Sequence, residues 1–301
     1  MVVTVPSTGA SRRRARRIRP AYAFIAVPML LLALFVLVPC LWGVALSFFH
    51  YDAIAPARFA GLANYARMGR DPQIAVSLQR TLTYVLLSVP LGLFLSLAVA
   101  LVLNERWFRG RTLVRAIYFL PNVVSLVAVA FIWEWLFNPD SGLLNYALKR
   151  LSLPPQMWLG DPDWALPCVI LVNVWHGLGF SVLVYLAGLQ GISSAHLEAA
   201  RIDGASRWQE IRYVVWPLLL PTTMFLTIMG VIGGFQAFQS VYIMTGGGPV
   251  DSTRVIVYYL WQVGFQRLEM GYASAIAVLV FATILTLTLV QWRYYGRRIE
   301  V

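Results

Sequence analysis

Six apolar runs, near residues 21–49, 79–103, 116–137, 164–188, 217–243 and 271–292, leave this chain little choice of fold. A bilayer core about 30 Å thick is crossed by roughly 20 apolar residues at helical rise. Inside lipid every peptide group must find its hydrogen-bond partner within the protein, so runs of this length are expected to be helices. The expected fold class is therefore all-α, a polytopic membrane protein with six transmembrane helices. Composition agrees: 59% of the 301 residues are hydrophobic and 12% charged, with a mean hydropathy of +0.69, whereas soluble domains carry about 25% charged residues. The first run is too long for a cleaved signal peptide and lacks a small-residue cleavage site, so it is expected to be a signal anchor and first span. Pro28 and Pro39 within it are tolerable, because neighbours in a membrane protein can re-satisfy freed carbonyls. No run carries a charge near its middle, and Glu134 lies toward the end of the third. A charge at the centre would cost at least about 2.5 kcal/mol, so a solute path through these helices must be lined by neutral groups.

Charge then orients the chain. The tail 1–20, the loops 104–115 and 189–216, and the tail 293–301 together hold sixteen basic residues against five acids; the remaining loops hold eight of each. The whole net charge of +11 thus belongs to one side. The positive-inside rule makes that side cytosolic, with both termini inside. This gives a basic cytosolic tail (1–20), a transmembrane domain (21–292) and a short cytosolic tail (293–301). The basic residues sit in short clusters between apolar runs, which excludes a nucleic-acid-binding face. Cys40 and Cys168 both fall inside apolar runs and read as small packing residues, with no metal-ligand or disulfide spacing.

Between the fourth and fifth runs lies a polar island, 189–216, whose centre reads Glu198-Ala-Ala-Arg-Ile-Asp-Gly-Ala205 and which runs on to Trp216-Pro217 and Pro221. A plain connector would be shorter and richer in turn residues. Glu-Ala-Ala suggests a short helix, Gly204 a break that needs unrestricted backbone angles, and Pro217 a first-turn position at the return to the bilayer. This loop is the candidate docking surface. Among other motifs, Gly246-Gly-Gly248 lacks the Lys-Ser/Thr of a nucleotide-binding loop and reads as a turn after the fifth helix. The mostly apolar stretch that follows, to Phe265, is expected to lie flat at the outer interface.

No arrangement of nucleophile, acid and base stands out. His176 is alone inside a span, where hydrogen bonding or packing is its ordinary use. Asn173, His176 or Gly177, and Phe180 recur at helical spacing on the fourth helix, and Phe235, Gln236 and Gln239 form a comparable strip on the fifth. Amides and aromatic faces suit a hydroxyl-rich solute; the alternative use is packing between helices.

The loop keeps Glu198, Ala199, Ala200, Asp203, Gly204, Ala205, Ile211, Pro217 and Pro221 at the spacing of the EAA loop, and so resembles the permeases of binding-protein-dependent ABC importers. Phe137-Asn-Pro-Asp-Ser-Gly-Leu-Leu-Asn145, Thr245-Gly-Gly-Gly-Pro249 with Ser252-Thr253, and Met270-Gly-Tyr-Ala-Ser-Ala275 are similar to segments of the carbohydrate-uptake branch, which includes maltose and glycerol-phosphate permeases. The likeness runs from about Ala21 to the C-terminus, in the compact six-helix form. It implies a type I importer permease of a bacterial plasma (inner) membrane, itself not an enzyme. Glu198, Ala199, Ala200, Asp203 and Gly204 would dock an ATPase subunit. The implied partners are a second homologous permease, two ATPase subunits that carry ATP and Mg, and an extracytoplasmic solute-binding protein. This chain would bind no cofactor. A stand-alone secondary transporter is the alternative; its ion coupling would need intramembrane ionisable residues, of which only His176 is present. An integral membrane enzyme would need clustered catalytic groups that the spans lack.

Overall fold

The computed structural model describes residues 24–105 and 110–299; the expected tail 1–20 lies outside them. Helix α1 (Phe24–Leu46) leads into a two-strand hairpin, β1 (Phe49–His50) with β2 (Arg58–Phe59), and the short α2 (Ala63–Met68). Then come α3 (Pro72–Asn104), α4 (Arg111–Val123), α5 (Leu126–Leu136), α6 (Leu143–Arg150) and α7 (Pro162–Gln190). The loop helix α8 (Ser194–Ile202) is followed by a helical segment over 207–218 that is π-wound from Glu210 to Val215. The last part holds α9 (Leu220–Phe235), α10 (Gln239–Met244), α11 (Ile256–Trp261) and α12 (Met270–Ile299).

Five helices are long and apolar enough to cross a membrane, and the bent pair α4–α5 makes a sixth crossing if it counts as one span. α3 and α7 form the central pair, with α9 against α3 and α12, and α4 against α7. The larger core, around Tyr84, Val169, Phe235, Tyr259 and Ile276, fills the half away from the loop helix; a second, around Leu103, Tyr185 and Leu219, fills the end next to it. α1 stands at the periphery with none of its most apolar stretch buried.

Three expectations change. The third apolar run is not one helix: α4 and α5 meet at 103°, with Val124 and Ser125 in extended conformations at the break. Non-helical backbone at membrane depth must borrow partners from its neighbours. Here His176 of α7 brings Nε2 within 3.1 Å of the Val124 carbonyl oxygen. The stretch expected to lie at the interface is instead packed inside. Ile256, Tyr258, Tyr259 and Val263 are buried, and Thr81 of α3 accepts a 2.8 Å hydrogen bond from the Ile256 N–H at the start of α11. The fifth run is also interrupted, at Gln236–Phe238, so that α9 and α10 are separate helices.

The motifs at the end opposite the loop helix serve as structural ties. Asn145 is fully buried: its amide nitrogen donates to the Pro139 and Gln156 carbonyls, and its oxygen accepts from Gln156 N–H and Trp158 Nε1. A buried amide with all these bonds made avoids the penalty of an unpaired polar group. Thr253 Oγ1 donates to the Gly248 carbonyl at 2.8 Å and lies 2.7 Å from Thr245 Oγ1, closing the glycine turn. Gly271 lets α12 pass against the Phe49 backbone, where a Cβ would overlap the Phe49 carbonyl oxygen.

Helices in lipid gain by close van der Waals approach, which small residues permit. At Gly179 of α7 a Cβ would overlap the Tyr118 carbonyl oxygen of α4 and lie 3.0 Å from Phe119 Cα, whereas at Gly177 it would meet nothing within 4 Å. Gly179→Leu should therefore destabilise the detergent-solubilised protein by about 1–3 kcal/mol or prevent its recovery. Gly177→Ala should leave its thermal unfolding unchanged, and a melting series on the two variants checks the pair.

Candidate functional site

The loop 189–216 folds into two helical arms joined by a tight turn. Ser193 caps α8 by accepting a hydrogen bond from the Ala195 N–H. Asp203 ends it, and Gly204 then takes φ +77°, a left-handed conformation costing an L-residue about 1–2 kcal/mol. The Ala205 N–H donates to the Ala200 carbonyl at 2.9 Å and the Gly204 N–H to Arg201 at 3.1 Å. These two bonds are the Schellman termination of a helix. Nothing lies within 4 Å of where a Gly204 Cβ would sit, so backbone conformation alone demands glycine there. The second arm starts with a capping box, in which Ser206 N–H donates to Gln209 Oε1 at 2.8 Å and Gln209 N–H to Ser206 Oγ.

Glu198, Ala199, Asp203 and Gly204 are exposed and Ala200 is half-buried, so the docking residues expected from sequence lie on or beside one accessible turn. Around them the structure adds apolar groups that charge and motif reading passed over: Ile202 is 86% exposed and Trp208 67%. Behind the turn, Arg201 Nε and Nη2 donate to the two carboxylate oxygens of Glu210 at 3.1 and 3.2 Å, and Arg207 Nη1 donates to the same carboxylate at 2.6 Å. The hydrogen bonds that Arg201 donates to Glu210, and that carboxylate's charge, raise the Arg201 pKa above the ordinary arginine range.

A cleft of about 240 Å³ lies between α3, α7 and α9. Asn173 and Gly177 line it as expected, with Ser181 one turn further on. α3 contributes Ser88, Gly92 and Ser96 at the same four-residue spacing, a stripe legible in the sequence but overlooked. Small residues keep the cleft open, and no charged side chain lines it. Asn173 Nδ2 is engaged with the Val169 carbonyl and Ser240 Oγ, both at 2.8 Å. The other expected pathway residues scatter. His176 serves the α4–α5 break, and Phe180 is exposed on α7. Phe235 is wholly buried in the core, because the helix turns at Gln236 and carries the strip out of register. Gln236 and Gln239 are exposed at the α9–α10 junction, near a ring cluster in which Phe238 stacks on Tyr242 (5.3 Å) and Trp261 meets Tyr242 edge-on (4.8 Å). Among the described residues no group of three His, Cys, Asp or Glu could hold a metal ion.

At the far end of α3, Asp71 receives hydrogen bonds from Tyr259 (2.6 Å), Tyr272 (2.7 Å) and Gln73 N–H (3.0 Å), tying α3 to α11 and α12. Partial burial would raise its pKa, but these hydrogen bonds and the nearby Arg67 outweigh it and hold the carboxyl below its usual 3.8.

The described residues thus form a bundle of apolar spans with a neutral cleft and an exposed turn at one end. Residues 81–301 match the family described as binding-protein-dependent transport system inner membrane component, and the chain belongs to that family. It is 32% identical to the lactose transport system permease protein LacF of Rhizobium radiobacter, over 92% of this chain and 93% of that one. It is equally identical to the trehalose/maltose transport system permease protein MalF of Thermococcus litoralis, over 93% and 95%. A chain of the bacterial alginate ABC transporter, solved in complex with an alginate-bound periplasmic protein, superposes with a TM-score of 0.85 at 25% identity, covering 96% of this chain and 98% of its own. The protein is thus an inner-membrane, non-catalytic subunit of an ABC transporter, with ATP hydrolysis left to separate subunits.

Asp71 sets an acid limit on the tie between α3, α11 and α12. Its folded pKa is depressed, so its contribution is complete above the unfolded value near 3.8 and is lost as pH falls through the folded one. Asp71→Asn should lower the melting temperature at neutral pH and flatten the loss expected of wild type as the pH falls below about 4. Melting curves across that range check both.

Proposed function

We propose that this chain forms half of the translocation pathway of an ATP-driven, binding-protein-dependent importer of a sugar or a related polyol or glycerol-phosphate ester, coupled to its ATPase through Glu198, Ala199, Ala200, Asp203 and Gly204. The observation that carries the coupling role is the exposed two-armed turn at Gly204, rimmed by Ile202 and Trp208. Small alanines allow close approach of a partner groove, Glu198 offers a carboxylate to a basic group on it, and the glycine sets the angle between the arms. The partners in this reading are a second homologous permease, two ATPase subunits holding ATP and Mg, and an extracytoplasmic binding protein that hands over the solute. Closure of the ATPase pair moves the turn, and the membrane halves rock around the cleft between inward and outward openings.

The sugars for which two relatives are named, lactose and trehalose or maltose, support the carbohydrate class. So does the cleft, which offers hydroxyls, an amide and small residues but no charge. The exposed amides of Gln236 and Gln239 beside the ring cluster suit a hydroxyl-rich solute at the outer mouth. Orientation rests on the charge partition, which puts both termini and the turn in the cytosol.

Gly204→Asp should insert into the membrane at wild-type levels yet reduce solute uptake by the assembled transporter by at least about tenfold, since misplacing a contact by an ångström is enough to uncouple such machinery. Uptake assays on cells with matched membrane expression test it, and normal uptake would refute the coupling role. Uptake by the purified chain alone, driven by an ion gradient, would favour a secondary transporter instead.

A further inference from the structure

Glu210 stands apart from every other charged group of the loop. It is 3% exposed, although it lies only six residues beyond Gly204 on the polar side of the bundle. Its carboxylate is held from both arms of the turn, by the fork of Arg201 on α8 and by Arg207 on the second arm. Arg207 does not stop there. Its Nη2 pairs with Glu105, just beyond the last turn of α3, 102 residues away in sequence. α3 is the central helix of the bundle, lining the cleft with Ser88, Gly92 and Ser96 and anchored at its other end by Asp71. The four side chains therefore make a continuous path: first arm, buried carboxylate, second arm, cleft helix. A planar guanidinium gripping both oxygens of a carboxylate fixes direction as well as distance, and a buried carboxylate between two such groups resists any motion that separates the arms.

We propose that Glu210 is a positioning residue of energy coupling: it locks the two arms of the loop into one rigid lever and, through Arg207 and Glu105, fastens that lever to the cytosolic end of α3. The proposal rests on the reading that the turn docks an ATPase, and it adds where the movement goes next. The exposed face of the turn makes the contact, while the buried cluster behind it delivers displacement to the helix that borders the cleft.

The test uses the complete transporter with its ATPase and binding-protein partners in proteoliposomes, with Glu210→Gln, Arg207→Gln, Glu105→Gln and the double variant Glu105→Gln/Arg207→Gln. Three quantities are read: ATPase subunits retained on purification, ATP hydrolysed with and without solute-loaded binding protein, and solute imported per ATP. Glu210→Gln is expected to keep its ATPase subunits while import per ATP falls by roughly tenfold and hydrolysis loses most of its dependence on loaded binding protein. The double variant is expected to be no worse than Arg207→Gln alone, because two links of one chain fail together. Unchanged import per ATP in Glu210→Gln with subunits bound would overturn the lever, as would multiplying defects in the double variant. Loss of the ATPase subunits from Glu210→Gln would also overturn it, assigning the cluster to the docking contact itself. Failure of wild-type protein to retain any ATPase subunit would instead refute the docking reading on which the proposal rests. Should Glu210→Gln fail to accumulate, the half-exposed Glu105→Gln and Arg207→Gln variants still decide the matter through the same three readings.

Discussion

The need of every peptide group in hydrocarbon for an internal partner governs this molecule. It makes the spans helices, and it also decides where a span can break. The chain interrupts its third run at Val124 only because His176 on the neighbouring helix reaches the freed carbonyl. It starts α11 deep in the protein only because Thr81 accepts from the first unpaired N–H. Both donors and acceptors come from helices distant in sequence. A lone histidine in a span, which invites a catalytic reading, is here a repair to the backbone.

Close packing and open space are set by the same residue type. Gly179 lets α4 cross α7 at backbone contact, and Gly188 sits where a Cβ would be 2.7 Å from Thr222 Oγ1. Gly92 and Gly177, by contrast, have nothing within 4 Å and border the cleft. Glycine in a membrane helix thus means contact or cavity according to what stands opposite, and sequence alone does not distinguish the two.

Charge is expelled from the middle and gathered at the ends. Asp71 with Tyr259, Tyr272 and Arg67 fastens one end of α3, and Glu105 with Arg207, Glu210 and Arg201 fastens the other. An unpaired charge is costly at membrane depth and inexpensive at the rim, so both networks stand at the termini of the central helix. Between them the helix presents only neutral groups to the cleft, Ser88, Gly92 and Ser96 among them.

Class and charge partition were determined by the sequence, because hydropathy and arginine placement are properties of consecutive residues. The loop was equally readable: Gly204 and its flanking helices follow from local backbone rules, and the fold agrees at φ +77°. Only tertiary structure decided what depends on neighbours far along the chain. It buried Phe235, moved the stretch to Phe265 from the interface into the core, bent the third span, and joined Ser88, Gly92 and Ser96 to Asn173 and Gly177 in one cleft. It also drew Glu105 to Arg207 across 102 residues. Period and composition say which face of a helix is polar; which other helix that face meets is settled by packing, and there the partners of Glu210 were hidden.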